Sequence, residues 1–400
     1  MSHTEPEVRV AGLFLSVYSV SVTRPISSGV LGALRENLVH LHTDTDAHFR
    51  REVLGATQRL FDRLRASTAT AAKVQSKTVI SGGARLPLPA FCPSNNTATQ
   101  PHDDAGLEPL AFVVWYLGFL EWELRPTASY QRRITALRAL SIVLRSGIDP
   151  GVPFSQLSKS AQGQLNWAHG IEIGNPKLMR LLLDLILDPF DDVRDAAVSV
   201  LQLCLIALPQ QRRDAMMTTF PDFLSRAETV MLRTGRADQA DGVARTYGLI
   251  FSLLDNSSTK PDTGRFTTKL GLFEHLRVQL YDTLKSAQDN LSEAVNGRPV
   301  HGTFAALRYI VDQPDFYQTM SNAPKETSAQ WRQLHKDIVT SIESFWSYVH
   351  HVLCADAPEG HMPDELEDEE SLDTKEVLSY SWRGLKEARY VVMYPYGVFG

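Results

Sequence analysis

Residues 175–204 read NPKLMRLLLDLILDPFDDVRDAAVSVLQLC, and this stretch decides the fold class. Asn175 precedes Pro176, a polar cap followed by the residue whose missing N–H costs nothing in a first helical turn. Leu178, Leu181, Leu182, Leu185 and Ile186 then recur at helical spacing. Asp188-Pro189-Phe190 reads as a three-residue corner. Beyond it Val193, Ala196, Ala197, Val200, Leu201 and Cys204 form a single apolar stripe at i, i+3, i+4, i+7, i+8 and i+11. Asp191 and Asp192 place negative charge at the positive end of the second helix, and the paired alanines let a neighbouring helix approach closely. The unit is an antiparallel helix hairpin of HEAT type. A helical hairpin with charged caps outside that repeat class is the alternative the residues leave open.

Working outward, helical spacing recurs over 106–124, 128–145, 210–233, 237–254, 265–288 and 326–353. Tyr130, Ile134, Leu137 and Leu144 are in register on the second of these. On the last, Trp331, Leu334, Ile338, Ile342, Phe345, Val349 and Val352 mark one face. No stretch alternates as a strand, and no βαβ spacing occurs. Helical units of about 40 residues without strands predict an all-α, HEAT/armadillo-like α-solenoid of antiparallel helix hairpins. The expected organisation is N-terminal helical repeats over 1–73, then a long polar loop rich in Pro and Gly over 74–105. A central helical-repeat region over 106–355 follows. An acidic disordered loop over 356–373, a last helix over 374–390 and an atypical tail over 391–400 complete it.

The composition narrows the function classes. A hydrophobic fraction of 43% suffices for a large core and argues against disorder of the whole chain. The formal net charge of −6 is concentrated in residues 359–376, which hold nine acids and one base. The remainder carries 39 Lys+Arg against 37 Asp+Glu, a balance that speaks against tight, independent binding of nucleic acid. Cys92, Cys204 and Cys354 are widely spaced, so a reducing compartment is expected, with Cys204 a core residue. The uncharged apolar run from Pro109 to Leu120 is too short to span a bilayer. With no basic leader before Pro6, the expected location is the cytoplasm, with no membrane partner.

Catalytic chemistry finds no footing in the motifs. Gly29 and Gly32 lack the preceding strand of a dinucleotide fingerprint, and Gly82-Gly83 is not followed by Lys-Ser/Thr. His350, His351 and Cys354 are a weak metal set, because adjacent helical histidines diverge by about 100°. No catalytic, cofactor-binding or metal residue is therefore assigned, and no cofactor is expected. The basic residues on helices stand out instead. Arg132 and Arg133 open the helix that begins near Ser129, and Arg138 and Arg145 share a face of it. In the last helix Leu378, Trp382 and Leu385 are expected to mark the buried side, with Ser379, Arg383, Lys386 and Tyr390 on another face. Such guanidinium, ammonium and aromatic groups suit a phosphate and a stacked base. An Arg383–Glu387 surface pair is the structural alternative.

Three ordered motifs are similar to one family. Ser129-Tyr130-Gln131-Arg132-Arg133-Ile134-Thr135-Ala136-Leu137 resembles the entry to the central domain of the THADA-like proteins. Asp188-Pro189-Phe190-Asp191-Asp192-Val193-Arg194 is similar to that domain's repeat corner. Ser379-Tyr380-Ser381-Trp382-Arg383-Gly384-Leu385-Lys386-Glu387-Ala388 resembles its last helix, so the resemblance covers roughly 106–390. It implies a non-catalytic scaffold or regulatory subunit. Such a subunit partners an FtsJ-type methyltransferase and directs 2′-O-methylation of tRNA ribose at the 5′ edge of the anticodon loop. Arg132, Arg133, Arg138, Arg383 and Lys386 are then candidate contacts to tRNA or partner. A general HEAT-type adaptor without an RNA role is the alternative. The resemblance ceases after Ala388, which reads as a truncated fragment of a longer protein.

Overall fold

A computed structural model describes residues 1–76, 86–87, 107–254, 266–297, 299–353 and 374–393. The helix–corner–helix reading of 175–204 matches the structure, with Leu181 and Ala196 only half-buried and Ile186 just past the first helix. Asn175 caps α7 (Pro176–Leu185), its Oδ1 accepting the Leu178 N–H at 2.9 Å. α8 (Asp191–Ala207) buries Val193, Ala197, Val200, Leu201 and Cys204, and α7 and α8 pack against each other. Cys204 is fully enclosed, and burial pushes its thiol pKa up.

The described chain divides into two compact units. The first comprises residues 1–185 and 190–213, the second residues 186–189 and 214–400. In the first unit, α1 (Pro6–Val17) packs on α3 (Ala47–Ser76), and α2 (Ser28–His42) on α3. α4 (Leu107–Glu123) and α5 (Tyr130–Arg145) follow, α5 lying between α4 and α8. Two buried arginines staple this packing. Arg63 donates to the Val17 carbonyl, which the end of α1 leaves open, and to the carbonyls of Arg24 and Pro25 in the segment that follows. Arg65 reaches the Ser146 carbonyl at 3.1 Å and Gln164 Oε1 at 2.9 Å.

Between α5 and α7 the chain makes a fixed loop, including the short α6 (Lys159–Gln162). Gly151 lies against α8, where a Cβ would stand 2.0 Å from the Ala207 carbonyl oxygen. The buried Asp149 carboxylate accepts the N–H groups of Gly151 and Ile173, each at 3.0 Å, tying the two ends of the loop. Two residues of the loop, β2 (Ile171–Glu172), pair in parallel with β1 (Leu86–Pro87), a two-residue bridge that strand periodicity is too short to reveal.

The expected helix over 210–233 is two helices, α9 (Gln210–Met217) and α10 (Phe220–Thr234). Pro221, at the second position of α10, has no N–H to continue the ladder and would collide with the carbonyl four residues back. The Thr218 and Thr219 hydroxyls turn back onto the carbonyls of Ala215 and Met216, each at 2.7 Å.

The second unit adds α11 (Ala237–Leu253), α12 (Lys269–Asp289), α13 (Leu291–Gly297), α14 (Val300–Val311), α15 (Phe316–Ser321), α16 (Lys325–Leu353) and α17 (Thr374–Met393). α14 sits between α11 and α17, while α16 packs on α12 and α17. α16 buries Trp331, Leu334, Ile338, Phe345, Val349 and Val352, the stripe read from the sequence. α17 runs three residues into the stretch expected to be an atypical tail.

The buried side of α17 differs from the expectation. Val377, Tyr380, Ser381, Gly384, Ala388 and Val391 face inward, whereas Trp382 is 63% exposed. Gly384 sets this orientation: a Cβ there would lie 2.5 Å from the Phe345 ring and 3.0 Å from Val300. The helix comes down on its small residues, and Leu378 and Leu385 become half-buried flanks. The remainder of the expected 74–105 loop, the 356–373 acidic loop and the end of the tail lie outside the described residues.

Candidate functional site

In the first unit the candidate residues gather at the start of α5. A helix N-terminus is its positive end, so Arg132 and Arg133 in that region need compensation. Arg132 finds it in Glu123, whose Oε1 lies 3.5 Å from its Nη1 and 3.5 Å from Arg125 Nη1. Glu123 is 2% exposed, and its pKa is raised by burial against the opposing pull of Arg132 and Arg125. Arg125 also lies over the exposed Trp122 ring, 4.7 Å from its centroid. Arg133 is half-buried and Arg138 exposed.

Tyr130 joins two of the sequence motifs. Its hydroxyl donates to Asp192 Oδ2, and its ring packs on Phe190 with centroids 4.7 Å apart. That bond, ahead of burial, raises the Tyr130 pKa, while the charges of Arg138 and Arg50 lower it. Tyr130→Phe should therefore cost about 1 kcal/mol of stability, read as a lower denaturant midpoint. An unchanged midpoint would mean that the phenol contributes nothing across this contact.

In the second unit Arg383 and Lys386 are both exposed on α17, as the spacing indicated. The Arg383–Glu387 pair, the structural alternative, does not form. Glu387 Oε2 lies 3.1 Å from Arg308 Nη1 of α14. Arg308 also approaches Asp241 of α11 at 3.7 Å and lies over the rings of Tyr309 and Tyr390, at 4.5 and 5.6 Å. Asp241 accepts from the Tyr309 hydroxyl and from Arg245 Nε, each at 2.8 Å. Burial raises the Glu387 pKa, with Arg308 and then Lys386 acting the other way. The network ties together three helices distant in sequence. Only the Asp241/Arg245 spacing of four hinted at it, because the remaining partners come from separate helices.

His350 and His351 are exposed on α16, and Cys354 lies outside the described residues. Among the described residues no group of three His, Cys, Asp or Glu side chains is placed to hold a metal ion. Among them, too, no helix is long and apolar enough to cross a membrane. What the two basic regions offer is guanidinium and ammonium donors beside aromatic faces.

Comparison with known proteins places these elements. Residues 1–195 match the family described as Trm732, TPR repeats, and residues 333–392 match the family described as THADA/TRM732, DUF2428. Both matched segments resemble the THADA/Trm732 family. The chain is 25% identical over 392 residues to the tRNA (32-2′-O)-methyltransferase regulator trm732 of Schizosaccharomyces pombe, a match spanning 96% of this chain and 24% of that protein. It is 26% identical over 280 residues to the tRNA (32-2′-O)-methyltransferase regulator THADA of Drosophila melanogaster, covering 68% of this chain and 14% of that one. The chain thus spans about a quarter or less of these THADA/Trm732 relatives. No solved structure matches it. Ser129–Leu137 and Asp188–Arg194 lie in the segment matched by the TPR-repeat model, and only Ser379–Ala388 lies in the segment matched by the second.

Proposed function

We propose that this chain is a non-catalytic scaffold segment of a tRNA methyltransferase regulator. In this reading it partners an FtsJ-type enzyme and directs 2′-O-methylation of tRNA ribose at nucleotide 32. The observation that carries the proposal is the collinear match, over 96% of the chain, to a protein named as the regulator of that modification. Supporting it, Arg138, Arg383 and Lys386 present cations to solvent on helices α5 and α17. Arg132 holds Glu123 only at 3.5 Å, which leaves guanidinium donors for a phosphate oxygen. S-adenosylmethionine would then belong to the partner.

Capture of the methyltransferase by the chain, and loss of nucleotide-32 methylation when its gene is deleted, test the proposal. Retention of full methylation after deletion overturns it. Charge reversal at Arg138, Arg383 and Lys386 should weaken tRNA association. It should also make the plot of log affinity against log salt shallower, by roughly one in slope for each phosphate no longer neutralised. A general helical-repeat adaptor is the second reading. It is favoured by the engagement of Arg132 with Glu123, and it predicts an unchanged salt slope in the same variant.

A further inference from the structure

The loop between α5 and α7 forms an open cavity of about 390 Å³ in the first unit, with none of Arg132, Arg133 or Arg138 in its lining. Its walls include Phe154, Leu157 and Trp167, with Asn166 and His169 at the opening. That volume lies within the usual range for small-ligand pockets and exceeds what one planar heterocycle needs. We propose that this cavity takes an unpaired nucleobase of the bound RNA, stacked on Phe154 and read by Asn166 and His169.

Three observations carry the assignment. Phe154 is 66% exposed although it lines a concave site, an unusual cost for a phenyl ring. The frame around it is built to stay open. Trp167 Nε1 donates to the Ser146 carbonyl at 3.0 Å, and buried Arg65 donates to the same oxygen at 3.1 Å. The Ser158 N–H reaches the Arg145 carbonyl at 2.9 Å, and the Ile171 N–H the Ile148 carbonyl at 2.9 Å. The chemistry of the lining is the third. Flat aromatic walls suit the face of a base. An amide, which both donates and accepts, suits its Watson–Crick edge together with an imidazole. The Asp149 carboxylate in the floor already accepts two backbone N–H groups, so it does not ask for a cation.

The inference rests on the tRNA reading above, and the test separates the two. The full chain, in complex with the captured methyltransferase, is irradiated with a tRNA transcript carrying 4-thiouridine or 6-thioguanosine, and crosslinked peptides of the chain are mapped by mass spectrometry. Crosslinks within 154–169 are expected. Affinity should fall about tenfold in Phe154→Ala and Phe154→Leu but be kept in Phe154→Trp, since stacking needs a ring and not merely apolar bulk. Phe154 is exposed, and unchanged melting of each variant confirms that folding is intact. Crosslinks confined to peptides around Arg138 or Arg383 overturn the pocket and leave the tRNA reading standing. No crosslink anywhere overturns both. If Phe154→Leu behaves as wild type while Phe154→Ala loses only the methyltransferase, the occupant is a partner's apolar side chain and the proposal fails.

Discussion

Gly384→Val is expected to lower the stability of the second unit by about 3 kcal/mol, whereas Trp382→Ala, two residues away, should change it by less than about 0.5 kcal/mol. The contrast follows from how α17 lies on its neighbours. At position 384 a Cβ would meet the Phe345 ring at 2.5 and 2.6 Å and Val300 at 3.0 Å. Phe345 is fully buried and packed against Phe304 and Tyr380, with centroids at 5.5 and 6.0 Å, so its ring has nowhere to retreat. A branched side chain would have to lift α17 off α14 and α16. Lifting it would also separate Glu387 from Arg308, leaving a half-buried charge on each side. Chemical denaturation of the two variants beside wild type decides the matter. If Trp382→Ala unfolds more readily than Gly384→Val, the helix rests on the face opposite to the one described.

That pair of substitutions also marks where the amino-acid pattern stops being readable. α16 was legible because its large apolar residues keep to one helical face along its whole length, and size and periodicity agree there. In α17 they disagree. Leu378, Trp382 and Leu385 are the largest apolar residues, but helix–helix distance is set by the smallest side chain in the contact, and Gly384 and Ala388 occupy another face. The break before α10 was written in Pro221, whose effect on a helix is local. By contrast, the partners of Glu387 and Tyr130 come from other helices, and no spacing along one helix announces them. The aromatic cavity was hidden for a similar reason. Phe154 and Trp167 are thirteen positions apart in a loop without periodicity, and they share a cavity only because the loop is held at both ends.

Acidification from pH 6.5 to 4 should destabilise each unit through one buried histidine. His42 in the first unit is 1% exposed, and burial lowers its pKa from 6.5 to about 4. His301 in the second is also lowered to about 4, by burial and then by the charge of Arg383. A group whose folded pKa is depressed in this way binds fewer protons folded than unfolded between those two values. Its contribution is therefore complete above pH 6.5 and is lost as the pH falls towards 4. The loss is about 1.4 kcal/mol for each pH unit between the two values, or about 3 kcal/mol for each histidine. The carboxyls of Glu123, Asp312 and Glu387 act in the opposite sense, since burial raises their pKa values and protonation relieves them. The net pH profile is consequently shallower than either histidine alone would make it, and the informative quantity is a difference between variants. His42→Gln can still take the Tyr116 hydroxyl, which lies 3.1 Å from His42 Nε2, but it cannot titrate. Between pH 7 and 5 the wild type should lose about 2 kcal/mol more than this variant in the first unit. Arg383→Ala should raise the His301 pKa and move the loss in the second unit to a lower share of the total, a change that hydrogen exchange on α14 reads separately. Parallel pH profiles for wild type and His42→Gln would mean that the imidazole is solvated enough to charge within the fold, and the buried contact with Tyr116 would then not hold in solution.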